Sequence, residues 1–102
     1  MSDRRPAPLR LSPRAQRDVV HILRYTAEHW GMQQLARYRE KLETAFAAIQ
    51  TNPDAGYRRE DLPFTHRLYL VGSHVIVYRE EASGELSVVR ILHQRMMLSS
   101  HL

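Results

Sequence analysis

A chain of 102 residues closes one modest hydrophobic core, and no run approaches the ~20 apolar residues of a membrane span, so one soluble domain is expected. The absence of cysteine excludes disulfides and thiolate chemistry and suits a reducing cytoplasm. The net charge of +4, carried by arginine everywhere except Lys41, favours an anionic partner, either nucleic acid or an acidic protein.

Residues 1–8 read as a flexible leader without a signal-peptide pattern, because Pro6 and Pro8 block regular structure. Leu9-Arg10-Leu11 alternates and predicts a short strand. Ser12-Pro13 is a helix start, with serine capping and proline suited to the first helical position. Ala15, Val19, Ile22, Thr26 and Trp30 then recur at helical spacing, with Asp18 among the polar residues of the other side. Gly31 is a plausible left-handed stop. Leu35, Tyr38, Leu42, Ala45, Phe46 and Ile49 mark a second helix, ended by Asn52-Pro53, since a residue before proline avoids helical geometry. So short a link makes the two helices an antiparallel hairpin. A polar loop spans 52–65.

Three antiparallel strands follow. A Gly72-Ser73 turn pairs Leu70 with Val75 and Leu68 with Val77; a Ser83-Gly84 turn pairs Tyr78 with Val89 and Ile76 with Ile91. One face then holds Tyr69, Val71, Ile76, Tyr78, Val89 and Ile91, and is expected to lie beneath the helices. The other holds Leu68, Leu70, Val75, Val77, Val88 and Leu92, interrupted by Arg79 and Arg90. It reads as an open partner-binding face; cover by a terminal segment or a second copy is the alternative. The fold class is α+β, in the order β-α-α-β-β-β, with a domain over 9–96 and a tail over 97–102.

The chemistry is sparse. Six histidines (21, 29, 66, 74, 93 and 101) include no His-x-x-x-His pair, so no metal site is expected. There is no phosphate loop or nucleophile elbow, and the carboxylates sit in turns and on helix surfaces, so no cofactor and no paired acid/base site is expected. What remains is the cluster Arg67, Tyr78, Arg79, Arg90, His93 and Arg95. His93 with Arg95 and Tyr78 could cleave RNA without metal, the imidazole moving protons and arginine steadying the phosphorane. The plainer reading, which residue types favour, makes Arg67 and Tyr78 supports of the sheet and pairs Arg79 and Arg90 with acidic neighbours.

Taken in order, Ser12-Pro13-x-Ala15, Tyr25-Thr26-Ala27-Glu28-His29-Trp30-Gly31, Asn52-Pro53, Val71 to Arg79 and Arg90-Ile91-Leu92-His93-Gln94-Arg95-Met96 resemble the ParE toxins of the RelE/ParE superfamily. The resemblance implies the toxin half of a type II toxin–antitoxin system, also known as plasmid stabilisation proteins. It implies growth inhibition by binding and poisoning DNA gyrase, and neutralisation by a ParD-like antitoxin in a hetero-oligomeric cytoplasmic complex. DNA contact would come only through the antitoxin, and no membrane is involved. The chain is then expected to be no enzyme. Antitoxin contacts are expected at Leu68, Leu70, Val75, Val77, Arg79 and Arg90, and target contacts at Arg67, His93, Arg95 and Met96. The alternatives are a RelE-like mRNA endoribonuclease using His93, Arg95 and Tyr78, or a degenerate member that only binds antitoxin.

Overall fold

A computed structural model describes residues 6–96 and 101–102. The elements run β1 (Leu9–Leu11), α1 (Pro13–Trp30), α2 (Met32–Thr51), a short 3-10 turn (Pro53–Ala55), β2 (His66–Val71), β3 (His74–Glu80) and β4 (Leu86–His93). The helix hairpin lies on one side of a four-stranded sheet in the order β1-β4-β3-β2. β2, β3 and β4 form the expected antiparallel meander, and β1 adds to β4 in parallel.

Local chemistry starts α1 and fastens it. The Ser12 hydroxyl accepts from the Ala15 N–H at 3.0 Å, and donates to the Val89 carbonyl at 2.8 Å. One side chain therefore caps the helix and ties it to β4. Gly31 ends α1 with φ 87° and ψ 173°, which corrects the expected left-handed stop. Its φ still favours glycine, and its N–H closes on the Ala27 carbonyl. Of the expected leader, residues 1–5 lie outside the described residues. Ala7 exchanges hydrogen bonds with the Gln50 carbonyl and side chain, and the Pro8 carbonyl accepts from Leu86 N–H.

The helix-facing core joins Ala15, Ile22, Tyr38, Leu42, Ala45 and Ile49 to Val71, Ile76, Tyr78, Leu86, Val88 and Ile91. Fully burying one such large apolar side chain contributes about 1.5–3 kcal/mol. The expected register holds at Leu68–Val77, Leu70–Val75 and Ile76–Ile91, but Tyr78 pairs with Val88 and not Val89. A β-bulge sets Val77 opposite Arg90 and the next residue, Tyr78, opposite Val88. Val88 therefore joins the helix-side core, while Val89 packs on the opposite face.

That opposite face is not open, which corrects a second expectation. Leu68, Val75, Val77 and Leu92 are buried with Leu62 from the 52–65 loop, and Val89, Met96 and Leu102 pack against them. Leu70 alone of the expected apolar contact residues is exposed. Arg90 is corrected as well. It makes a two-pronged ion pair with Asp18 at 2.8 and 3.0 Å, each side chain 12% exposed. Asp18 also accepts from the Ile91 N–H at 2.9 Å. The guanidinium is held above its ordinary range by this hydrogen bonding to Asp18. Arg90 and Arg14 both donate to the His101 carbonyl, anchoring the end of the chain. Among the described residues, no helix is long and apolar enough to cross a membrane.

Candidate functional site

The pairing of Ile76 with Ile91 carries His74 opposite His93, where the β2–β3 turn meets the end of β4. The two imidazole rings lie edge to face, 5.4 Å apart. Tyr38, projected from α2, puts its phenol oxygen 2.5 Å from His74 Nδ1 and donates to the Val71 carbonyl at 3.2 Å. Gly72 leaves room for that phenol: a Cβ there would sit 2.7 Å from it. His74 is half-buried, and burial, with His93 second, holds its pKa below the ordinary histidine value.

The chain after β4 is latched to the same turn. Gln94 donates its backbone N–H to the Ser73 carbonyl at 3.0 Å and its side-chain amide to the Gly72 carbonyl at 2.9 Å. The Arg95 N–H donates to His93 Nδ1 at 3.1 Å, so the neutral ring carries its proton on Nε2. Arg95 itself is exposed. His93 and Arg95 are thus presented on a fixed corner.

A groove of about 730 Å³ opens beside this corner, between it and the helix hairpin. His21, Tyr25 and Trp30 of α1, Tyr38 of α2, and His74 and His93 wall it. Trp30 is 72% and Tyr25 59% exposed, so the aromatic at the end of the expected α1 stripe faces solvent at the groove mouth and not the core. Neither carboxylate nor Lys or Arg lines the groove among the described residues. Sequence reasoning missed the grouping of Tyr38, His74 and His93. The signal was present, because a register fixed at Ile76–Ile91 puts His74 beside His93.

The other expected site residues are dispersed. Tyr78 lies four residues from His74 along β3, about 13 Å at the usual strand rise. Its hydroxyl donates to the Pro53 carbonyl at 2.7 Å and accepts from the Gly56 N–H at 2.8 Å, and burial pushes its pKa up. The set His93, Arg95 and Tyr78 is therefore not brought together, which corrects the ribonuclease grouping. Arg67 sits at the Tyr78 end, donating to the Gly56 carbonyl at 2.9 Å and pairing with Asp54 at 3.3 Å. It supports the loop and is far from His93. Arg79 is half-exposed and pairs with Glu81 at 2.9 Å. Burial, with Arg79 second, lowers the pKa of the neighbouring His66. Met96 packs on the covered apolar face. No group of three or more potential metal-binding side chains occurs among the described residues.

Residues 9–98 match the family model described as the ParE toxin of the type II toxin–antitoxin system, parDE. Toxin ParE1 of Caulobacter vibrioides is 36% identical over 95 residues, covering 93% of this chain and 97% of its own. Toxin ParE1 of Mycobacterium tuberculosis is 35% identical over 92 residues, covering 90% and 94%. A chain in the structure of the chromosomal ParDE TA system from P. aeruginosa superposes with a TM-score of 0.73 at 15% identity, covering 85% of this chain and 95% of its own.

Proposed function

The chain belongs to the ParE family of toxins of type II toxin–antitoxin systems, and from that premise we propose that it arrests growth by binding and poisoning DNA gyrase until a ParD-like antitoxin captures it. The observation that carries this reading is the family match over almost the whole described domain, with similar relatives matched nearly end to end. The dispersal of His93, Arg95 and Tyr78 supports a binding toxin over the ribonuclease alternative. A toxin of this kind acts on a partner's surface, and the rigid His93–Arg95 corner is suited to that work.

The antitoxin contact surface changes with the corrections above. Leu68, Val75, Val77 and Arg90 are already occupied within the chain, which leaves Leu70 and Arg79 as the accessible members of the expected set. An apolar residue and an acidic residue of the antitoxin would meet them in a hetero-oligomeric cytoplasmic complex, with DNA contacted through the antitoxin alone.

The test is a supercoiling assay with purified gyrase alongside induction in cells. Inhibition of supercoiling at concentrations that arrest growth is expected. Untouched gyrase, with transcripts cut in primer extension, would transfer the chain to the ribonuclease reading.

A further inference from the structure

We propose that the hollow at the Tyr78 end of the sheet, walled by the stacked Arg58 and Phe64 and by Asp54, Arg67 and Glu80, binds a guanine base. It lies at the far end of β3 from the His74–His93 corner and stands independently of the gyrase reading.

The hollow holds about 230 Å³, below the roughly 300–1,000 Å³ of sites for drug-sized ligands and enough for one planar base. Tyr78 lines it with its hydroxyl already spent on the Pro53 carbonyl and the Gly56 N–H. Recognition therefore falls to the groups around it. Phe64 is 81% exposed, yet its ring is held in place. The Arg58 guanidinium lies 4.2 Å from the ring centroid and donates to the Phe64 carbonyl. An aromatic face and a guanidinium plane both stack on nucleobases, so the pair is a platform built before any ligand arrives.

Two guanidinium groups, Arg58 and Arg67, and two carboxylates, Asp54 and Glu80, line the hollow. Their charges cancel, so a bare phosphate gains nothing over a neutral ligand. Arg67 donates to the Gly56 carbonyl and to Asp54, and keeps further N–H donors for a ligand. The Asp54 side chain is largely exposed, so its ion pair exchanges for a ligand at little cost. A ligand that satisfies both kinds of group is planar and has one accepting edge and one donating edge. Guanine has both. Its O6 and N7 accept from a guanidinium, and its N1–H and N2 amino group donate to a carboxylate. Adenine puts an amino donor where guanine has O6, and a pyrimidine offers only one ring to the stack.

The full-length chain is titrated with GMP, AMP, inorganic phosphate, arginine amide and a guanine-containing RNA trinucleotide. Calorimetry reads binding in the wild-type chain. Tryptophan quenching reads it in Phe64→Trp, with the single native tryptophan removed as Trp30→Phe. GMP is expected to bind at least about tenfold more tightly than AMP. Phe64→Ala should weaken GMP about tenfold, with melting unchanged because the ring faces solvent. Phe64→Trp should retain affinity. If Phe64→Ala lowers melting, Phe64→Leu takes its place, since it keeps bulk and removes the stacking face. Either Asp54→Asn or Glu80→Gln should bring GMP down to the level of AMP.

Binding of GMP assigns the site to a free nucleotide. Binding of the trinucleotide alone, with the same loss in Phe64→Ala, assigns it to a single strand, and either result supports the proposal. Equal affinity for GMP and AMP overturns it. Displacement of GMP by arginine amide or phosphate at equal concentration also overturns it, by making the hollow a cation or phosphate site. So does affinity that loss of the Phe64 ring leaves unchanged, and so does a chain that binds neither GMP nor the trinucleotide.

Discussion

Replacing Asp18 by alanine should destabilise this domain more than any other single change on the surface of α1. The carboxylate accepts from Arg90 at 2.8 and 3.0 Å and from the Ile91 N–H at 2.9 Å, so three hydrogen bonds go at once. Arg90 is then left as a cation that is only 12% exposed, and Ile91 loses its N–H partner. Breaking a buried pair from one side costs about 3–5 kcal/mol. Arg90 keeps its bond to the His101 carbonyl, and water reaches the exposed fraction, which argues for the lower end, about 3 kcal/mol. For a domain of this size that lowers the melting temperature by about 12–24 °C. Urea unfolding followed by circular dichroism measures it directly, and the slope against urea should be unchanged. Asp18→Asn should lose roughly half as much, because an acceptor remains while the charge goes. Asp18→Leu with Arg90→Met should recover only part of the loss, since paired apolar residues avoid burying charge but leave the Ile91 N–H without its acceptor, at a cost of about 1 kcal/mol or more. If Asp18→Ala stays within about 1 kcal/mol of wild type, the pair is solvated and this reasoning fails.

Tyr78→Phe should cost about 1–3 kcal/mol in the same assay, because the Gly56 N–H and the Pro53 carbonyl lose their shared partner. Gly56→Ala should cost more still: its Cβ would lie 2.6 Å from the Tyr78 hydroxyl and 2.8 Å from the Leu68 carbonyl, and the backbone oxygen cannot move aside. Acid should weaken the fold. His66 and His74 are held below the ordinary value of 6.5, so the unfolded chain binds protons first as pH falls. That stability is complete above 6.5 and is lost progressively below it, down to the folded values. Melting scans from pH 7.5 to about 5 should show the loss, and His74→Gln should flatten it; an unchanged slope in His74→Gln would remove His74 from the explanation. Deleting His101 and Leu102 removes the carbonyl held by Arg14 and Arg90 and uncovers part of the Leu92 face, so binding of a hydrophobic dye should rise at neutral pH.

The alternation of β2 and β3, the Ser12-Pro13 start and the Asn52-Pro53 stop are local signals. They gave the element order, the hairpin and most of the register. What escaped was long-range. The bulge opposite Val77 has no glycine to announce it, so period-two reading put Val89 where Val88 belongs. Asp18 and Arg90 look like solvent residues on their own elements; only the crossing of α1 over the far half of β4 brings them together, 72 positions apart. The covered face was misread as open because its lid comes from Leu62, Met96 and Leu102, none of which stands in a periodic pattern. The imidazole corner was legible from the register alone, through His74 and His93, but Tyr38 joins it from a helix whose rotation the sequence leaves unspecified.

The placement of β1 beside β4 carries a consequence for the birth of the molecule. The first strand finds its neighbour in the last one, and Ser12 reaches Val89 across 77 positions. Asp18 likewise waits for β4 to supply Arg90 and the Ile91 N–H, whereas the cap of α1 is local. A nascent chain on the ribosome holds the helix hairpin and the β2–β3 hairpin as separate local pieces, since nearby contacts form before distant ones. Its seam closes only after the final strand is released. A copy that ends before Leu86 therefore lacks the neighbour of β1, the Val89 carbonyl that holds Ser12 and the Arg90 that pairs with Asp18.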